Sequence, residues 1–287
     1  MRASRCNPFW GSVAVVAVTL STIAGCSTSS DNSVPTADIG DTTTGAASST
    51  TLAVEAATTA TPTTLVTTTT EAMPDAAAWM RDVFSGDTDT VIKAAALAVP
   101  GSPAHSYAIF QASFNQLLIQ EARPIGPQSV SLRGSAVEVC NTAGECALYD
   151  NFRADGPLFV DFTIDDTEVA GRLGIPGQPV TIGPLTARVT ASYRTVSGGA
   201  LIVIMEMSTT ETVSTGLSGS NYVGPDGRPS PVAQSFGPSE LLEGATAAAG
   251  AVFPATDPGG QIVFDAYTVS TNENLKFTLQ VPFVAPT

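Results

Sequence analysis

Between residues 73 and 175 the spacing of apolar residues changes from a helical period to an alternating one. Pro74 and Asp75 open an apolar stretch, Ala76 to Phe84, which ends at Gly86. Val91 to Val99 predicts a second helix, capped by Asp87 or Asp89 and stopped by Pro100-Gly101. Ser102-Pro103 starts a third, with Ser as cap and Pro at the first helical position. There Tyr107, Phe110, Phe114, Leu117 and Leu118 recur at three-to-four spacing, so one face is expected to be buried until Pro124 ends the helix. Strand patterns follow. Ser129 to Cys140 alternates in part, Asn141-Thr142-Ala143-Gly144-Glu145 is turn-like, and Cys146 to Asp155 runs back. Leu158 to Ile164 predicts a third strand after Gly156-Pro157.

Gly171 to Gly183 is rich in Gly and Pro and reads as a hinge. Beyond it the pattern is all-β. Thr186 to Thr195 alternates, which places Ala187, Val189, Ala191 and Tyr193 on one inward face. Ala200 to Met207 is nearly all apolar, as a central sandwich strand would be. Tyr222-Val223, the turn Gly224-Pro225-Asp226-Gly227, and Arg228 to Val232 predict a short edge hairpin. Thr246 to Phe253, Gln261 to Val269 and Leu275 to Val281 complete about seven strands. In the last of them Leu275, Phe277, Leu279 and Val281 share a face. The expected fold class is α+β. A three-helix plus antiparallel-sheet unit (73–175) precedes an immunoglobulin-like antiparallel β-sandwich (180–287).

The chain begins with Arg2 and Arg5, then an apolar run from about Gly11 to Ile23, the layout of an export signal. That run is shorter than the roughly 20 residues needed to span a bilayer. It ends in Ile23-Ala24-Gly25-Cys26, which resembles the lipobox of bacterial lipoproteins. The resemblance implies removal of residues 1–25 and a lipid on Cys26, with the membrane as partner and the outer face as location. An uncleaved anchor, or a plain secretory signal with a chance Cys, is the alternative. Residues 27–72 are dominated by Thr, Ser, Ala and Pro and contain no Lys, Arg or aromatic, so the lipidated Cys and the segment to residue 72 are expected to form a disordered tether. As a flexible coil it would reach ~35 to 40 Å. Its Thr clusters are also candidates for O-linked sugar.

Two family resemblances concern the folded part. Gly86-Asp87, Pro100-Gly101-Ser102-Pro103-Ala104 and the Cys140, Cys146 pair are similar to a pattern in actinobacterial lipoproteins. The layout of helices leading into a sheet resembles the cystatin-like, nuclear-transport-factor-type cone. The apolar strand Gly199 to Ile204, Tyr222 with Pro225 to Gly227, and Leu241 with Gly244 resemble the telomeric-repeat-binding-factor-like family of bacterial sandwich domains. The Cys and buried Trp of antibody domains are missing. The resemblance implies an exposed binding or support module and no chemistry.

Of four cysteines, Cys6 leaves with the signal and Cys26 takes the lipid, which leaves an isolated pair. Cys140 and Cys146 flank the five-residue turn symmetrically, so a cross-strand disulfide is expected, as an oxidising compartment permits. The alternative, a redox or metal pair, lacks C-x-x-C spacing and an accompanying soft ligand.

The remaining candidates for chemistry are few. His105 is the single histidine and falls in the first turn of the third helix. No G-x-S-x-G or S-x-x-K occurs, and Asp87-Thr88-Asp89 and Asp165-Asp166 lack the continuation of a calcium loop. No catalytic residue, cofactor or metal is therefore assigned. Trp79, Phe84, Tyr107, Phe110, Phe114, Phe152, Phe159 and Phe162 either line a cone-shaped cavity or form an ordinary core. The net charge of −14 moves near −16 once Arg2 and Arg5 are lost, and such a surface repels nucleic acid. The function expected from all this is an envelope lipoprotein of non-catalytic binding or support role. Its partner would be an envelope protein or cell-wall polymer, met through loops such as Val223 to Pro231. A small-molecule carrier or enzyme using the aromatic cavity is the alternative.

Overall fold

Asp75, Asp87 and Ser102 each accept a hydrogen bond from the backbone N–H three residues on, at 3.0, 3.0 and 3.2 Å. Each satisfies a donor that a helix start would otherwise leave open. They begin α1 (Ala76–Val83), α2 (Thr88–Ala95) and α3 (Pro103–Gln120) in a computed structural model that describes residues 74–123 and 128–283. The signal, Cys26, the tether and Pro124 lie outside the described residues. Helix α2 is shorter at its C-terminal end than the sequence pattern predicts. After it the chain extends and brackets Phe159, whose N–H donates to Leu97 O (3.0 Å) and whose carbonyl accepts from Val99 N (2.8 Å). Pairing with the sheet outcompetes another helical turn there.

The first sheet is antiparallel, in the order β1 (Ser129–Arg133), β2 (Ala136–Cys140), β3 (Cys146–Asp155), β4 (Leu158–Ile164) and β5 (Thr167–Glu168). Ser129 to Cys140 is thus a hairpin, where the alternation predicts one strand. Gly134 adopts φ +69° and folds the chain back, so that Ser129 pairs with Cys140. Left-handed φ costs glycine nothing, which is why the turn sits there.

Twelve further strands follow in the described residues: β6 (Leu173–Gly174), β7 (Val180–Ile182), β8 (Leu185–Arg194), β9 (Leu201–Thr209), β10 (Val213–Ser214), β11 (Asn221–Val223), β12 (Pro229–Pro231), β13 (Gln234–Phe236), β14 (Glu240–Leu241), β15 (Thr246–Phe253), β16 (Gln261–Thr268) and β17 (Asn274–Gln280). They make two antiparallel sheets. One runs β13-β15-β9-β8-β6, with β7 also on β8; the other runs β12-β11-β16-β10-β14, with β17 on β16. The expected hinge, Gly171 to Gly183, therefore holds two edge strands. Leu173 there is fully buried, and Gly174 leaves no room for a Cβ beside Ser192.

Two apolar cores result. Leu185, Val203, Met205, Phe253, Phe264 and Phe277 belong to the one between the two sheets, as do Leu275, Leu279 and Val281 on their shared face. The other joins the helices and first sheet to the back of the second, through Ala191, Tyr193, Ile202 and Ile204. Strand β9 faces both cores, which accounts for its apolar run from Leu201 to Met205. The helical part and the neighbouring sheet thus share one core, and all described residues fall in one compact unit.

The clean alternation of β8 conceals a bulge. Val189 pairs with Met205, but Ala191 pairs with Ile204, so Thr190 is an extra residue. Ala187 and Val189 consequently face the sandwich core, whereas Ala191 and Tyr193 face the helices. The single inward face predicted for these four is divided between two cores, because one unpaired residue reverses side-chain parity.

The buried face of helix α3 is wider than the aromatic spacing predicts, and a stripe through Ile109, Ser113, Gln116 and Gln120 is left partly or fully exposed. Ala104, Ala108 and Ala112 are as buried as Tyr107, Phe110 and Phe114. Small residues let α2 and the sheet approach on sides that the aromatic period does not mark. At its end, Gln120 Oε1 accepts from Ala248 N (3.1 Å), Glu121 Oε1 accepts from Gly237 N (2.6 Å), and the Arg123 guanidinium lies 5.0 Å from the Phe236 ring centre.

Candidate functional site

Cys140 and Cys146 stand directly opposite each other in β2 and β3 and are joined as a disulfide. Asn141 completes the turn between them. Its Oδ1 accepts from Ala143 N and Glu145 N, both at 2.9 Å, and its amide donates to Glu145 Oε2 at 2.8 Å. The pair closes a hairpin and is not aimed at a neighbouring ligand set. Among the described residues no three His, Cys, Asp or Glu side chains gather as metal ligands.

The other sequence candidates are dispersed. His105 sits half-buried in the first turn of α3, and desolvation holds its pKa below the ordinary value. Asp87 is a cap. The Thr90 hydroxyl, then the Thr90 N–H, hold its carboxyl below the usual range. Asp165 and Asp166 form a left-handed turn after β4, and Asp165 Oδ1 accepts from Leu148 N at 2.9 Å.

The aromatic residues pack ring to ring. Trp79 lies 4.8 Å from Phe159 and 5.8 Å from Phe162, centre to centre, and its indole N–H donates to Ala94 O at 2.9 Å. Tyr107 meets Phe162 at 5.2 Å and Tyr193 at 5.6 Å. Its hydroxyl shares a 3.0 Å hydrogen bond with that of Tyr149. Desolvation pushes Tyr107 up to about 12 and raises Tyr149 and Tyr193 as well. These phenols act as neutral hydrogen-bonding groups inside the core.

The sequence pattern did not single out a polar cleft of about 110 Å3 between α3 and the β8-β9-β15 sheet. Ser113, Gln116 and Gln120 line it from the helix, at a spacing of three then four, which places them on one helical face. Thr190, Glu206 and Thr246 line it from the sheet. Glu206 is ion-paired with Arg188 at 3.1 Å. The bulge puts Thr190 at the cleft, where its hydroxyl donates to Ile204 O at 3.2 Å. Two signals could have found the site. One is the polar triplet Ser113, Gln116 and Gln120 at helical spacing on α3. The other is Glu206, the one charge in β9.

The hairpin expected to carry contacts is formed by β11 and β12, at the edge of the other sheet. Gly260 N donates to Tyr222 Oη (2.7 Å), which in turn donates to Asp257 O (2.9 Å), and so fastens its base. The two prolines of β12 blunt the exposed edge.

No protein-family model matches this sequence, and no curated protein matches it. Among solved structures the chain is similar to the yjhA protein from Bacillus subtilis. The identity is 12%, the coverage 37% of this chain and 96% of that one, and the TM-score 0.29.

Proposed function

We propose that the chain is an exported lipoprotein, anchored by a lipid on Cys26 to the outer face of the membrane. Its folded part serves a non-catalytic binding or support role in the cell envelope. The observation that carries this reading is the division of labour among the cysteines. Cys26 stands in a lipobox-like Ile23-Ala24-Gly25-Cys26, while Cys140 and Cys146 are bonded to each other, as suits an oxidising compartment. The Thr-, Ser-, Ala- and Pro-rich composition of residues 27–72 supports a spacer role between the lipid and the folded part. Two sheets packed face to face on one core support an immunoglobulin-like sandwich for 180–287, and three helices against a five-stranded sheet support a cystatin-like unit for 73–175. The partner is an envelope protein or a cell-wall polymer. A net charge of −14 disfavours nucleic acid. The alternative, a carrier or enzyme with an apolar cavity, is weaker, because the candidate aromatics lie against one another.

The test is expression of the full chain in a bacterial host with labelled palmitate. The label and the protein should enter the detergent phase together, and Cys26→Ser should abolish both. Unlabelled wild-type protein recovered in the aqueous phase would sink the lipoprotein reading.

A further inference from the structure

The polar cleft is the mouth of a larger polar surface. The sheet face that α3 covers at Ile204 and Gly250 continues beyond the helix and turns polar. Thr181 pairs with Thr186, Thr186 with Ser208, and Ser208 with Thr246, so four hydroxyl residues form a row across β7, β8, β9 and β15. Their neighbours in sequence, Val180, Ile182, Leu185, Ala187 and Met207, face the sandwich core, so the row points to the helix side. At the usual strand spacing it is about 14 Å long. Arg188 and Glu206 form the next row, directly paired across β8 and β9. Then comes the cleft with Ser113, Gln116 and Gln120.

We infer that this surface binds a neutral polyhydroxyl chain, a glycan strand of the cell-wall type. The inference rests on the envelope-binding reading above and gives it a site and a ligand class. Hydroxyls and amides can each donate and accept, as a sugar requires. Several of their protons are already engaged within the protein. Ser113 donates to Ile109 O at 2.9 Å, Thr190 to Ile204 O, and Thr181 and Thr186 share one bond at 2.9 Å. Their oxygens therefore remain as acceptors for sugar hydroxyls. Glu206 alone is charged among the described lining residues, and Arg188 neutralises it, so the site calls for neither an anion nor a cation. The acidic chain as a whole repels polyanions. A row with one hydroxyl residue per strand suits a repeating ligand. No aromatic ring lines the described cleft, so binding depends on hydrogen bonds and gains strength from many tethered copies.

The test uses full-length protein in detergent micelles, sedimented with purified peptidoglycan sacculi. Wild-type protein should co-sediment, and soluble neutral N-acetylglucosamine oligomers should compete it off. Thr246→Trp, which fills the cleft, should weaken binding about tenfold or more. The double variant Thr186→Ala, Ser208→Ala should do so without added bulk, and melting temperatures check that both fold. Binding that free stem peptides displace and the neutral oligomers do not overturns the proposal. So does binding lost in Arg228→Ala, on the hairpin, but kept in Thr246→Trp; in that case the envelope-binding reading survives. Wild-type protein that ignores sacculi while Cys26-dependent anchoring persists overturns the glycan proposal alone.

Discussion

A methyl group placed on Gly250 would sit 2.7 Å from Leu117 Cδ2. Leu117 is fully buried in α3 and Gly250 lies in β15, so the helix seats on the sheet where the sheet has no side chain. Gly250→Ala should cost about 1–3 kcal/mol through overpacking. Leu117→Ala should cost about 2–5 kcal/mol by leaving a cavity. The double variant should cost clearly less than the sum, since each change relieves the other. Denaturant unfolding of the four proteins checks this. Additive costs would mean that the two residues do not meet.

The bulge in β8 makes a contrast between two one-residue deletions. Removing Thr190 leaves Val189 opposite Met205 and Ala191 opposite Ile204, in a now regular ladder. Removing Ser192 moves Tyr193 from the helical core to the sandwich side. The first protein should fold with a modest loss of stability, and the second should not fold. Near-ultraviolet circular dichroism separates the outcomes.

Reducing the Cys140–Cys146 disulfide should lower stability by about 2 kcal/mol, the chain-entropy value for so short a loop. The fold should persist, because Asn141 holds the turn independently. Melting curves with and without reductant provide the check. Unfolding on reduction would show that the hairpin depends on the bond.

Alkaline pH should destabilise the protein. Tyr107, Tyr149 and Tyr193 have raised pKa values when folded, so the folded state keeps protons that the unfolded state releases. Their contribution is complete below pH about 10, the unfolded value, and falls as pH rises toward about 12, the folded value for Tyr107. Phenolate absorbance should show these three ionising only as the protein unfolds. Titration of all tyrosines in the folded protein near pH 10 would contradict the buried cluster.

Replacing Ser102 by Ala should cost about 1 kcal/mol, because His105 N then loses its partner at the start of α3. Asn at this position should restore most of the loss. Urea midpoints for the pair would detect it.

Local signals determined much of this architecture. Ser102-Pro103 marks a helix start because a capping hydroxyl and a fixed φ act within one turn, and both are visible in four residues. Cys140 and Cys146 could be paired because the turn between them sets the register of its own hairpin. The face shared by Leu275, Phe277, Leu279 and Val281 is likewise a matter of period alone. The rest depended on partners remote in sequence. Thr190 reads as one more alternating residue, and only the pairing of β8 with β9 makes it a bulge that divides four apolar side chains between two cores. Leu173 and Gly174 look like hinge residues until β8 supplies an edge to pair with. The hydroxyls of Thr181, Thr186, Ser208 and Thr246 span 66 residues of chain and become one row only through strand register. Caps and tight turns are settled by neighbours in the chain. Register, parity and the polar cleft are settled by which strand lies alongside, and short-range pattern does not encode that.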